Sequence, residues 1–168
     1  WLIKNEVVAL EGIDTRLLTK IIRENGSCKA RIYKNGIYKD EISKNGTVKP
    51  EFIDIGKINL VDDIIPKTLT SYGNVSHPKI LFCDCGAKNS QLTSLLKRNL
   101  CLDRVPYDYE IDLGILQEKY AGIFISNGPG NPEQLPKLIS FIKSVMESDI
   151  SIPIFGICLG HQIMGLAA

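Results

Sequence analysis

Histidine is scarce in this chain, with two residues among 168, and tryptophan occurs once. A histidine general base could therefore be only His77 or His161. Neither sign of charge dominates: 20 Lys and Arg stand against 19 Asp and Glu, for a formal net charge of +1. Nucleic-acid binding requires a basic footprint, so no such partner is expected. No apolar run approaches a membrane span and no signal-peptide pattern opens the chain, so no membrane association is expected. The five cysteines are odd in number and lack the spacing of a secreted disulfide framework. They suit a reducing compartment, and a cytoplasmic location is expected. Cys83 and Cys85 form only a Cys-x-Cys without further ligands at short spacing, so no metal site is expected and both read as core or strand-end residues. Cys28 and Cys101 carry no signal. Internal repeats and low-complexity tracts do not stand out.

What is present concentrates in residues 155–162, Phe-Gly-Ile-Cys-Leu-Gly-His-Gln. Here Cys158 lies between Gly156 and Gly160, after the apolar run Ile152-Pro153-Ile154-Phe155 and before a helix-like segment. A strand that turns sharply into a helix with a cysteine at the corner is a nucleophile elbow. The corner residue is held in a strained conformation, and a Cβ at either flanking position would collide with the turn. The sulfur then lies over the first helical turn, where unpaired N–H groups and the helix dipole favour thiolate. Free cysteines are more often buried and inert. The paired glycines and the strand-to-helix context favour the nucleophile.

A second segment supports the first. Gly122-Ile123-Phe124-Ile125-Ser126 reads as a strand and ends in Asn127-Gly128-Pro129-Gly130-Asn131-Pro132. The prolines and glycines stop the strand and make a rigid turn at its carboxyl end, where open α/β sheets bind ligands. Such a turn can aim a backbone N–H at a developing oxyanion, beside the N–H of Leu159.

Around these segments, punctuation sets the organisation. Residues 1–60 read as a small α+β remnant, 61–78 as a linker mixing acidic pairs with Pro, Ser, Gly and Asn, and 79–168 as an α/β unit. In the first part, Asp14 or Thr15 caps a helix stopped by Asn25-Gly26, with Leu17, Leu18, Ile21 and Ile22 on a face expected to be buried. Lys34-Asn35-Gly36 signals a hairpin between strands at 28–33 and 37–42. In the last part, strands at 79–83, 101–105, 122–126 and 153–156 alternate with helices at 88–98, 111–119, 133–148 and 159–168. Strands without a polar face predict a parallel sheet covered on both sides. The stripe Leu135, Leu138, Ile139, Ile142, Val145 and Met146 is core.

The elbow and the Asn-Gly-Pro-Gly loop together resemble the class I, triad-type glutamine amidotransferases. Ile80-Leu81-Phe82-Cys83-Asp84-Cys85-Gly86-Ala87-Lys88-Asn89 is similar to the first strand and turn of the amidotransferase domain in carbamoyl-phosphate synthetases. Leu10-Glu11-Gly12-Ile13-Asp14-Thr15-Arg16-Leu17-Leu18-Thr19-Lys20 resembles the N-terminal domain of the same small subunit, and the Cys-Asp-Cys-Gly wording is closer to the eukaryotic pyrimidine-pathway form. The resemblance implies a partial flavodoxin-like parallel sheet at 79–168, preceded by part of the small α+β N-terminal domain at 1–60.

The same resemblance implies the chemistry. Cys158 would attack the side-chain amide of L-glutamine, Gly128 and Leu159 would supply oxyanion N–H groups, and Gln162 with Leu159 would hold the substrate. The ammonia would pass to a synthetase domain or large subunit, where ATP with magnesium is expected; no cofactor is expected in this part. The product would serve pyrimidine or arginine synthesis. Asn131 stands where the family commonly has Asp, which keeps the size of the side chain and removes one charge. The family completes its triad with a His-x-Glu pair beyond the elbow, and this chain stops ten residues after Cys158. A piece carrying the nucleophile without its base is therefore expected to be inactive alone, and a raw sheet edge is expected. His161 belongs to the elbow helix and His77 reads as a solvated linker residue. Two further readings are a non-catalytic module that docks on the synthetase, and another cysteine hydrolase of the same superfamily.

Overall fold

In a computed structural model of the chain, residues 1–26, 28, 30 and 54–168 are described. The chain divides into two compact units, Trp1–Ile53 and Asp54–Ala168. In the first, helix α1 (Thr15–Asn25) starts where Asp14 accepts the Leu17 N–H at 2.9 Å, and stops before Gly26 at φ +76°. This satisfies one orphan amide of the first turn and ends the helix on a residue free of Cβ strain. The stripe Leu17, Leu18, Ile21 and Ile22, expected to be buried, is 40–54% exposed. Periodicity fixes which face of a helix is apolar, and packing decides whether it is covered. Among the described residues of this unit none is buried. The hairpin expected around Lys34-Asn35-Gly36 lies outside the described residues.

The second unit is built on a five-stranded sheet. Its strands are β1 (Thr70–Tyr72), β2 (Lys79–Asp84), β3 (Cys101–Pro106), β4 (Gly122–Ile125) and β5 (Ile154–Gly156), in the order β1-β3-β2-β4-β5. Strands β2 to β5 are parallel, and β1 lies antiparallel to β3. The connecting helices are α2 (Asn89–Leu96), α3 (Leu113–Lys119), α4 (Pro136–Glu147) and α5 (Leu159–Ala167). This is the parallel α/β arrangement that the alternation predicted, flavodoxin-like as the resemblance implied, with β1 added at one edge.

The segment 61–78, expected to be a linker, is instead part of this unit. Val61 and Ile65 enter the core at 2% and 9% exposure, and Thr70–Tyr72 pairs with Arg104–Leu102. The approach is fixed by Tyr107, whose hydroxyl donates to Asp62 at 2.9 Å and accepts from Asn59 at 3.2 Å. Isolated apolar residues in polar surroundings bury themselves here, although they show no periodicity.

Side chains alternate across the pleat. Leu81, Cys83, Ile123 and Ile125 point to the layer of α3, α4 and α5. Phe82, Leu102 and Phe124 point to the opposite layer, which Leu92 of α2 covers. Phe82, Phe124 and Phe155 stand in register across three strands, with ring centroids 5.0 and 5.6 Å apart. Phe155, on edge strand β5, is 61% exposed beside an apolar groove of about 660 Å³ lined by Ile80, Leu95 and Pro153. Arg98 is the only ionisable side chain in that lining.

One buried acid ties the edge strand to the sheet. Asp103, 1% exposed, accepts from the Ser71 hydroxyl at 2.6 Å and the Tyr120 hydroxyl at 2.8 Å, and pairs with Lys119 at 3.0 Å. Burial pushes its pKa up, but these hydrogen bonds and the Lys119 charge prevail and hold it below the usual carboxylate value. A depressed folded pKa means stability that is present at neutral pH and is lost as pH falls through that lower value. Asp103→Asn is expected to cost about 1–3 kcal/mol at pH 7. In urea melts at stepped pH, the gap to the unsubstituted protein is expected to shrink below about pH 4, the ordinary carboxylate pKa. A gap independent of pH would contradict this account.

Candidate active site

The parallel strands deliver their carboxyl ends to one edge of the sheet, and there the chain turns from β5 into α5. Cys158 is exposed at that corner, with φ +51° and ψ −105°. A non-glycine residue in this region stores about 1–3 kcal/mol of strain, which the surrounding packing must hold. The two flanking glycines hold it by close approach. A Cβ on Gly156 would lie 2.5 Å from the Gly160 carbonyl carbon, and one on Gly160 would lie 2.4 Å from the Ile125 carbonyl oxygen. The corner is also tied to β4 by the Ile157 N–H, which donates to the Ile125 carbonyl at 3.1 Å. Cys158 makes no capping bond to α5, so its sulfur is not spent on the helix start.

The thiols of the core contrast with it. Burial pushes Cys83 up to about 12, with the Asp84 charge adding to the effect, and burial also raises Cys85. Neither ionises at neutral pH, so neither competes as a nucleophile.

The loop after β4 lies against the elbow. A Cβ on Gly128 would stand 1.9 Å from the Cys85 carbonyl oxygen and 2.7 Å from Cδ2 of Leu159. The loop is therefore wedged between the β2–α2 turn and the first residue of α5. Among the described residues, neither the Gly128 nor the Leu159 amide donates to a backbone carbonyl. Both amides are thus left without a backbone acceptor at the edge where Cys158 is exposed. Asn131 caps the 3-10 turn Pro132–Gln134, accepting the Glu133 N–H at 3.1 Å. Its amide also donates to the Glu133 carboxylate at 3.2 Å, a bond an ionised Asp could not make.

The remaining candidates fall into place around this edge. Gln162 is exposed one turn along α5, and its N–H donates to the Cys158 carbonyl at 3.0 Å. His161 is exposed on the same helix. His77, half-buried rather than fully solvated, precedes β2, at the amino end of the sheet. The six residues of β2, at about 3.3 Å each, separate it from the carboxyl edge.

Sequence reasoning missed the support beneath the loop. Asp84 is fully buried; one oxygen accepts the N–H groups of Gly86 and Ala87 at 2.8 Å, and the other binds Arg104 at 2.5 Å. Ser126, also fully buried, accepts the Cys85 N–H at 2.8 Å and donates to the Asn127 carbonyl at 2.7 Å. The Asn127 side chain accepts the Lys88 N–H at 3.2 Å. An acid ending a largely apolar strand, followed by Cys-Gly-Ala, was the available signal.

These loops meet between β2 and β4, where the strand order reverses, which is where open α/β sheets bind their ligands. The fold and site together define an α/β domain with a parallel sheet and a strained, exposed cysteine at its carboxyl edge. The family described as Glutamine amidotransferase class-I matches residues 81–168, slightly more than half of the chain, and the chain belongs to that family. Over all of its length it is 36% identical to "Multifunctional protein pyr1-3" of Dictyostelium discoideum and 36% identical to "Carbamoyl-phosphate synthase [ammonia], mitochondrial" of Homo sapiens. It is 37% identical, again over its whole length, to "Carbamoyl phosphate synthase arginine-specific small chain" of Candida albicans. It spans 8%, 10% and 38% of those proteins, respectively.

Proposed function

We propose that this chain is the glutaminase portion of a carbamoyl-phosphate synthetase. Cys158 attacks the side-chain amide carbon of L-glutamine, and the C–N bond breaks with protonation of the leaving nitrogen. Water then cleaves the glutamyl thioester to glutamate and returns the thiol. The Gly128 and Leu159 amides stabilise the oxyanion, and Gln162 holds the substrate. The ammonia released is consumed by a synthetase partner, where ATP and magnesium act, to make carbamoyl phosphate for pyrimidines or arginine.

The observation that carries this reading is the strained, exposed Cys158 directly beside the Gly128 loop. A docking module needs neither the strain nor two free amides. One relative is named for ammonia and another for its arginine-specific small chain, so the relatives' names alone do not choose the nitrogen source.

The test is trapping in the full-length protein with a glutamine-mimicking chloroketone, followed by mass spectrometry. Adduct at Cys158, slowed by glutamine, is expected. Labelling no faster than at buried Cys83 or Cys101 would favour the docking module. Residues 1–168 alone are expected to show no glutamine turnover. His77 lies at the wrong end of the sheet, and His161 rides on the helix that Cys158 begins, three residues past it. Turnover by this piece would refute that assignment of its histidines.

A further inference from the structure

The oxyanion loop does not stand unaided. Its Gly128 can enter the space between Cys85 and Leu159 only if the β2–α2 turn and the end of β4 keep a fixed spacing, because the Cys85 carbonyl leaves no slack. Two side chains span that gap: Asn127, which accepts the Lys88 N–H at 3.2 Å and donates to the Gly86 carbonyl at 3.4 Å, and the fully buried Ser126. The Ser126 hydroxyl accepts the Cys85 N–H from the turn at 2.8 Å and donates to the Asn127 carbonyl of the loop at 2.7 Å. A hydroxyl can do both at once, whereas an apolar side chain can do neither. The turn on the far side is itself held by fully buried Asp84, through two backbone amides and Arg104. Gly86 interlocks with the loop, since a Cβ there would lie 2.9 Å from Cδ of Pro129.

We propose that Ser126 is a positioning residue for the oxyanion-binding loop, setting the place of the Gly128 amide through Asn127 and Cys85. The role rests on the glutaminase reading above. Ser126 touches no substrate; it fixes the donor that acts in the transition state. Its loss is therefore felt in kcat and not in substrate binding.

The experiment compares Ser126→Ala with the unsubstituted full-length protein, using glutamine kinetics, inhibition by the aldehyde analogue of glutamine, and alkylation of Cys158 by iodoacetamide. The aldehyde forms a thiohemiacetal whose oxygen occupies the oxyanion position, so its affinity follows the quality of the hole. Loss of an oxyanion donor costs about 10²–10³ in kcat, and displacement of one is expected to cost at least about tenfold. KM is expected to hold within about twofold, because the bond acts only in the transition state. Aldehyde affinity is expected to fall in step with kcat, and Cys158 alkylation to stay unchanged. Ser71→Ala, which deletes a hydroxyl bonded to buried Asp103 on edge strand β1, is expected to leave kcat unchanged. Ser126→Cys keeps a weaker donor and acceptor of similar size; it is expected to lie between the two and serves where the alanine variant does not fold.

Unchanged kcat in Ser126→Ala overturns the role. So does a fall shared equally by Ser71→Ala, or a fall accompanied by lost alkylation, which marks a loosened elbow. An unsubstituted protein without glutaminase activity would instead overturn the proposed function, and this role with it.

Discussion

Cys158→Ala in the full-length protein is expected to lower glutamine-dependent carbamoyl phosphate synthesis by at least about four orders of magnitude, as removal of a nucleophile does in enzymes of this logic. Synthesis supplied with free ammonia is expected to continue, because the proposed function assigns that chemistry to a synthetase partner. The effect on stability is expected to be small, since the side chain is exposed and caps nothing. Cys158→Gly makes the sharper comparison. At φ +51° the cysteine pays a conformational cost that glycine does not. The glycine variant is expected to be about 1 kcal/mol more stable than the alanine variant, and equally inactive. Glutamine turnover surviving in Cys158→Ala would end the nucleophile assignment. A glycine variant no more stable than the alanine variant would show that the corner is not strained.

The sequence made the parallel sheet legible because buried strands show as unbroken apolar runs and helices as stripes. The run from Lys79 and the stripe through Leu138, Ile142 and Val145 both lie where they were expected. Helix α4 starts at Pro136 and not at 133, because Asn131 caps a separate 3-10 turn over Pro132–Gln134 first. Strand β1 escaped notice: three residues, Thr70-Ser71-Tyr72, are too few to show a period, and only their pairing with β3 reveals them. Val61 and Ile65 were hidden for the same reason.

The candidate site divides along similar lines. Cys158, Gly128, Leu159 and Gln162 stand in motifs of short local spacing, which is why the sequence offers them as candidates. Asp84, Arg104 and Ser126 do not, for their partners are distant in sequence: Ser126 binds Cys85, and Asp84 binds Arg104. A hydroxyl at the end of a strand announces nothing until the neighbouring strand is in place. Local motifs name the candidate residues, and the long-range hydrogen bonds around them emerge only with the fold.

Gly128→Ala is expected to be the most damaging substitution in the loop, lowering stability by about 2–4 kcal/mol and kcat by at least about a hundredfold. The added Cβ would lie 1.9 Å from the Cys85 carbonyl oxygen and 2.9 Å from its carbon, both backbone atoms, so neither can swing aside. The loop must then lift from the elbow and carry its amide away from the place proposed for the oxyanion. Gly130, two residues on, supplies the control. Its φ of +84° disfavours a side chain, yet the nearest atom to a Cβ there is the Gln134 amide oxygen at 3.7 Å. Gly130→Ala is therefore expected to cost about 1 kcal/mol of backbone strain and to leave kcat nearly unchanged. Thermal melts and glutaminase assays on the two variants separate close approach from backbone conformation as the reason for the loop's glycines. If Gly130→Ala proved the more damaging to kcat, the shape of the turn, and not the fit of Gly128 against Cys85, would be what places the oxyanion donor.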